Sequence, residues 1–254
     1  MRRPLLLLVL SLLCVGASAQ TAELTVSAAA SLTGAFQDIA RAYQARHPEV
    51  RVRLNLGGSG ALLQQIAKGA PVDVFATADQ ETMDLAAQQR LIEPASRRDF
   101  ARNALVLVVP ADSSHRIDSL AALARPDIRR IALGNPASVP AGRYANEALR
   151  AAGLGEALRN RVIHTQNVRQ SLAYVARGEV DAGFVYATDA AFAAFAGERV
   201  RIALRVPLER EIRYPVARVA GAQAAEAERF IDYLHTAEGR AVLARHGFGE
   251  VEAR

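Results

Sequence analysis

Leu24-Thr25-Val26-Ser27-Ala28-Ala29-Ala30-Ser31-Leu32-Thr33-Gly34-Ala35-Phe36-Gln37-Asp38-Ile39-Ala40-Arg41-Ala42-Tyr43-Gln44-Ala45 reads as a strand handed into a helix through a run of small residues. Leu24 to Val26 has strand composition. From Leu32 onward, Leu32, Ala35, Phe36, Ile39, Ala40 and Tyr43 recur at the spacing of one helical face. The same alternation continues downstream. Val50 to Leu56, Val72 to Ala76, Ala104 to Val109, Arg130 to Leu133, Ala182 to Val185, Val200 to Ala203 and Val216 to Val219 read as strands. Ala61 to Lys68, Glu81 to Gln89, Ala141 to Ala151, Val168 to Arg177 and Ala222 to Ala244 read as helices. Strand and helix in turn over this length imply α/β layers with right-handed crossovers and largely parallel sheets. No internal repeat, low-complexity tract or long linker interrupts them.

The N-terminus has a different character. Arg2 and Arg3 precede an apolar run from Pro4 to Val15, and Ala17-Ser18-Ala19 supplies the small residues of a cleavage site. Residues 1–19 therefore read as a secretory signal peptide, too short and wrongly flanked for a spanning helix. The single Cys14 lies inside it and follows Leu13, where lipoprotein processing wants a small residue. Cleavage after Ala19 leaves a cysteine-free chain of roughly 235 residues, enough to bury a substantial core without disulfides. No later apolar run is long enough to cross a bilayer. The formal charge of +5, lowered by two when Arg2 and Arg3 leave, is a mild excess spread along the chain. It reads as an ordinary solvated surface that gives small anions a weak attraction.

Four strand-to-helix junctions are built of small or polar residues: Ala28 to Thr33, Gly57-Gly58-Ser59-Gly60, Val139-Pro140-Ala141-Gly142 and Gln166-Asn167-Val168-Arg169. A helix start presents unpaired N–H groups and the positive end of a dipole, which suits an anion. Any one of the four is ordinarily a plain cap or turn. Their recurrence, with Tyr186 closing the buried run Gly183-Phe184-Val185-Tyr186, is what points to a ligand. In doubly wound sheets ligands bind beyond the carboxyl ends of strands, where such junctions lie.

Other chemistries fit less well. Gly57-Gly58-Ser59-Gly60-Ala61 falls one residue short of a nucleophile elbow, and no histidine stands in a recognisable acid–His context. Lys68 is followed by Gly69 and Ala70, so a phosphate loop lacks its hydroxyl. His47, His115, His164, His235 and His246 show no metal-ligand spacing.

The chain resembles the periplasmic molybdate-binding proteins of ABC importers over essentially its whole length after the leader. The resemblance is carried by Ala28 to Thr33 with Asp38-Ile39-Ala40, by Gly69 to Phe75, and by Ala78-Asp79-Gln80 with Met83-Asp84. Further along it is carried by Val139 to Ala145 with Glu147-Ala148-Leu149, Val168-Arg169, Val185-Tyr186 with Asp189-Ala190, Tyr214-Pro215-Val216 and Gly247-Phe248. It implies a type II periplasmic-binding fold, two α/β lobes joined by two crossings, with the ligand between them. Residues 20–104 and 213–254 would form lobe one and residues 105–212 lobe two, the crossings lying near Asn103 to Leu105 and Glu211 to Tyr214. The implied ligand is molybdate or tungstate, held by the hydroxyls of Ser31, Ser59 and Tyr186 and the amides of Ser31, Ser59, Ala141 and Val168. The implied partner is an inner-membrane ABC permease. No catalysis, cofactor, free metal cation, nucleic acid or membrane insertion is implied, and the protein would act as a monomer. Many members surround the second serine with further serines, whereas Gly58 and Gly60 flank Ser59 here. A sister protein of the same fold for sulfate, phosphate or an organic anion remains the rival. A shell of hydroxyls and amides predicts an affinity flat between pH 6 and 9.

Overall fold

The computed structural model describes residues 21–251, so the signal peptide read over residues 1–19 lies outside them. The chain begins with β1 (Ala22–Ala29), α1 (Thr33–Arg46), β2 (Val50–Gly57), α2 (Ser59–Ala67), β3 (Val74–Ala76), α3 (Gln80–Gln88) and β4 (Arg98–Asn103). It passes through Ala104 into β5 (Leu105–Pro110) and continues with β6 (Ile131–Gly134), α4 (Pro140–Ala151), α5 (Gly155–Leu158) and β7 (Val162–Thr165). Then come α6 (Val168–Ala176), β8 (Ala182–Tyr186), α7 (Ala187–Phe195) and β9 (Val200–Arg205). The last elements are β10 (Ile212–Arg218), α8 (Ala224–Leu234) and α9 (Ala237–Arg245).

Two five-stranded sheets result, in the orders β2-β1-β3-β10-β4 and β7-β6-β8-β5-β9. They share one plan. The pairs of β1 with β2 and β3, and of β6 with β7 and β8, are parallel. The pairs of β10 with β3 and β4, and of β5 with β8 and β9, are antiparallel. Both sheets are mixed but mostly parallel, as the sequence pattern suggests: four strands of each run one way and β10 or β5 runs against them. Strands joined by helical crossovers must run parallel. The strand entered directly from the other sheet, β5 or β10, has no such crossover, and it alone runs against its neighbours.

The C-terminal helices close the first lobe. Phe230 of α8 meets Phe36 and Tyr43 of α1 edge-on, with ring centroids 6.2 and 5.3 Å apart, and Tyr233 meets Tyr43 at 5.4 Å. The long helix read over Ala222 to Ala244 is two helices. Thr236 breaks it, accepting from the Gly239 amide and donating to the Tyr233 carbonyl. The apolar spacing runs through the break because both halves bury one face, so periodicity alone does not register it.

Helix starts are set by close backbone contact. A Cβ on Gly142 would lie 1.8 Å from the Gly134 carbonyl oxygen, so the first turn of α4 rests directly on the end of β6. Gly142→Ala should therefore lower stability by about 3 kcal/mol or more, since backbone rather than a side chain must move. A urea midpoint within error of the wild type would show that α4 is not seated this way.

Candidate functional site

The helix starts converge between the lobes. Ser31, Ser59, Ala141, Val168 and Tyr186 line one cavity of about 10 Å³, with Gly57, Gly58, Ala78 and Asn167 among its other walls. That is about the room a single water needs, so the walls stand close together here. Ser31, Ser59 and Ala78 come from the first lobe, and Ala141, Asn167, Val168 and Tyr186 from the second. No charged residue lines the cavity.

Each wall has a local cause. Ser31 sits in a 3-10 turn, Ala30–Leu32, and makes no side-chain cap to α1. Its hydroxyl lies 3.0 Å from the Tyr214 hydroxyl instead. Tyr214 in turn accepts from the Asn103 side-chain amide at 3.1 Å. Either hydroxyl can donate in the Ser31–Tyr214 bond, and where Tyr214 donates the Ser31 proton is left for another acceptor. Ser59 is the first residue of α2 rather than a loop residue before it, because Gly58 is the N-cap. Its hydroxyl accepts from the Ala78 amide at 3.2 Å, again leaving its proton free to donate. Ala141 is in the first turn of α4, behind Pro140, and Val168 is first in α6, which the Asn167 side chain caps through the Gln170 amide. First-turn amides have no intrahelical acceptor. The Tyr186 hydroxyl donates to the Ala78 carbonyl at 3.4 Å, a long bond readily exchanged for a charged acceptor. Burial pushes the Tyr186 and Tyr214 hydroxyls well above the usual tyrosine range, so both remain protonated donors.

The nearest cations are engaged elsewhere. Arg143 pairs with Asp79, and Arg169 pairs with Asp189 at 2.9 Å while lying over the Phe192 ring. Sequence reasoning passed over Tyr214, Asn103 and Asp79 as site components. Tyr214 and Asp79 stood in quoted motifs, but nothing local showed that they reach across the fold.

Three larger cavities, of about 590, 590 and 500 Å³, lie at the base of the first sheet, in the groove between the lobes beside α1 and α7, and beside α4 and α5. The groove also touches Ser31 and the starts of α6 and α7, but charged side chains, among them Asp38, Arg41, Arg169 and Arg245, line it in place of an uncharged set of donors. The hydrolase alternative fails on geometry, since the Ser59 hydroxyl meets the Ala78 amide and no histidine. Among the described residues, no group of three or more His, Cys, Asp or Glu is placed to hold a metal ion.

Residues 24–249 match the family described as bacterial extracellular solute-binding protein. The chain belongs to that family. Within it, the chain is 37% identical over 238 residues to the molybdate-binding protein ModA of Escherichia coli (strain K12), covering 91% of each. The solved Azotobacter vinelandii periplasmic molybdate-binding protein matches at 25% identity with a TM-score of 0.78, over 90% of this chain and 100% of that one. The Mycobacterium tuberculosis H37Rv sulfate-binding protein SubI gives the same TM-score of 0.78 at 18% identity, over 91% of this chain and 88% of that one. Fold likeness thus identifies the type II binding architecture without choosing an anion. Members of this solute-binding family bind and release, and the chain is not an enzyme.

One titrating group stands directly behind the site. Asp189 accepts from the Tyr186 amide at 3.1 Å, and burial raises its carboxyl to about 6 against the opposing pull of Arg169. The folded chain therefore favours the protonated acid. Stability from this group is complete below its unfolded value near 4 and is lost as pH rises through about 6. Asp189→Asn should remove that dependence. The wild type should lose about 2–3 kcal/mol relative to the variant between pH 4 and pH 6.5, measured by urea unfolding. A difference that stays constant with pH would place the titration elsewhere.

Proposed function

We propose that this protein captures one molybdate or tungstate ion in the cavity between its lobes, in the periplasm, and delivers it as a monomer to an inner-membrane ABC permease. Lobe one comprises residues 20–104 and 213–254, and lobe two residues 105–212. The oxyanion takes the hydroxyls of Ser31, Ser59 and Tyr186 and the amides of Ser31, Ser59, Ala141 and Val168. No metal cation or organic cofactor takes part.

The observation that carries this reading is a set of uncharged donors from both lobes lining one small, uncharged cavity. A doubly charged anion leaving water needs a donor at every oxygen, and charged-acceptor bonds are the strong ones. Helix starts and oriented hydroxyls supply those donors without a matched cation. Because donors come from both lobes, the shell is complete only when the lobes meet. Binding is then coupled to closure, and the closed face is what a permease reads. The identity to molybdate-binding relatives favours this anion over sulfate.

Calorimetric titration should show one site for molybdate or tungstate and weaker or no heat with sulfate and phosphate. Heat with sulfate or phosphate alone overturns the reading. Ser31→Ala, Ser59→Ala and Tyr186→Phe should each weaken binding by roughly 1–3 kcal/mol while circular dichroism stays unchanged. If all three bind like the wild type, the site lies elsewhere. The chain has no tryptophan, so calorimetry rather than indole fluorescence is the readout.

With Asp189 titrating near 6, the pH-independent window starts higher than the donor types alone imply. Affinity should be flat from pH 7 to pH 9, where Asp189 is ionised and the buried Tyr186 hydroxyl is intact. A tenfold change in dissociation constant across that window at fixed ionic strength would mean that a titrating group contacts the anion.

A further inference from the structure

We propose that Arg143 is a positioning residue that holds the cleft shut, working as an ionic latch beside a glycine seam; the proposal rests on reading the cavity as the anion site. Arg143 belongs to α4 of the second lobe, two residues beyond Ala141. Its guanidinium reaches into the first lobe. Nε and Nη2 lie 2.8 and 2.6 Å from Asp79 Oδ2, and Nη2 donates to Thr82 Oγ1 at 2.5 Å. Only Nη1 turns back to its own lobe, donating to the Pro136 carbonyl at 3.0 Å. Asp79 follows Ala78, a wall of the cavity, and its Oδ1 caps α3 through the Thr82 amide. The pair is dry, with the Arg143 side chain 11% and the Asp79 side chain 1% exposed. The other nearby charge is Glu81, 3.7 Å from Arg143 and half exposed.

The seam lies alongside. The Gly60 amide donates across the cleft to the Ser138 carbonyl at 2.9 Å. A Cβ on Gly60 would stand 2.7 Å from Ser138 Cα, and one on Gly58 would stand 2.7 Å from the Gln166 carbonyl oxygen. These two glycines let backbone meet backbone, and that approach carries Arg143 to Asp79.

The latch acts on one conformation. When the lobes separate, Asp79 and Arg143 are both hydrated and neither depends on the other. When they close, Asp79 is buried, and without its partner it is an uncompensated charge. Loss of Arg143 therefore weighs on the closed state alone. A ligand then draws on a less populated competent state, and its apparent affinity falls by that fraction. The three hydroxyls and the amides around the anion are untouched.

The test uses purified protein with molybdate, tungstate, sulfate and phosphate in calorimetry, and stopped-flow kinetics with the anion that binds. Arg143→Gln should weaken binding at least tenfold, mainly through faster dissociation. Arg143→Lys should fall between it and the wild type. The double variant Asp79→Asn with Arg143→Gln should bind more tightly than Arg143→Gln alone, because the stranded charge is gone. A residue that merely stabilised α4 would show no such recovery. Gly60→Ala should also speed dissociation while leaving the latch residues intact, and it serves as the second variant if Arg143→Gln does not fold. Unchanged dissociation in Arg143→Gln, or no recovery in the double variant, overturns the latch while leaving the anion site standing. A wild type that binds none of the four anions overturns both.

Discussion

A buried N–H group must have an acceptor, and the rest of the structure follows from where this fold collects such groups. Every helix start leaves amides over. Here the first turns of α2, α4 and α6, with the 3-10 turn at Ser31, are brought to one point between two lobes. The sheets make this possible by repeating a plan. In each, three parallel strands end on the same side, and their following turns deliver helix starts there. Glycine contacts then fix the seating, most tightly where Gly142 rests on Gly134. The stability of the lobes and the placement of the donors are one problem, because the same backbone approach serves both.

Hydroxyls differ from amides in being free to turn, so their direction has to be imposed. The hydrogen-bonded line from Asn103 through Tyr214 to Ser31 restricts it, Asn103 donating to Tyr214 and the two hydroxyls sharing one bond. Ser59 is oriented by the Ala78 amide in the same manner. Tyr186 is the least constrained of the three, with one long bond to Ala78. It belongs to the lobe opposite Ala78, and on the proposed anion reading a weak bond there is easily replaced by one to the ligand. Preorganisation is strongest in the first lobe and completed by the second.

Much of this was legible along the chain. Strand and helix order, the four junctions and Tyr186 follow from local spacing and residue type, since a helix start has a local composition. The unread parts share a different cause. The start of α2 at Ser59 depends on Gly58 serving as N-cap, which two adjacent glycines leave ambiguous. Strand β4 carries Arg, Asp and Asn, and acquires its pairing from β10 and Gly249, both more than a hundred residues later. The roles of Tyr214, Asn103, Asp79 and Arg143 rest on contacts between residues separated by 61 to 183 positions. No periodicity or motif spacing reports a partner at that distance. The break between α8 and α9 was hidden for the opposite reason, because a continuous apolar face spans it.

Keeping cations away from the cavity is as consequential as bringing amides to it. Arg143 and Arg169 both stand within a few residues of the lining positions, yet each is held by a buried carboxylate, Asp79 or Asp189. A cation-lined site would attract any anion in proportion to charge, chloride and hydrogen phosphate included. Neutral donors set by backbone geometry act differently. They reward an oxygen only where it meets an N–H or O–H. Such a site selects an oxyanion of fitting size. On the proposed anion reading, selectivity depends on rigid spacing between helix starts, and the Arg143–Asp79 pair and the Gly58–Ser59–Gly60 seam are the contacts that fix that spacing across the two lobes.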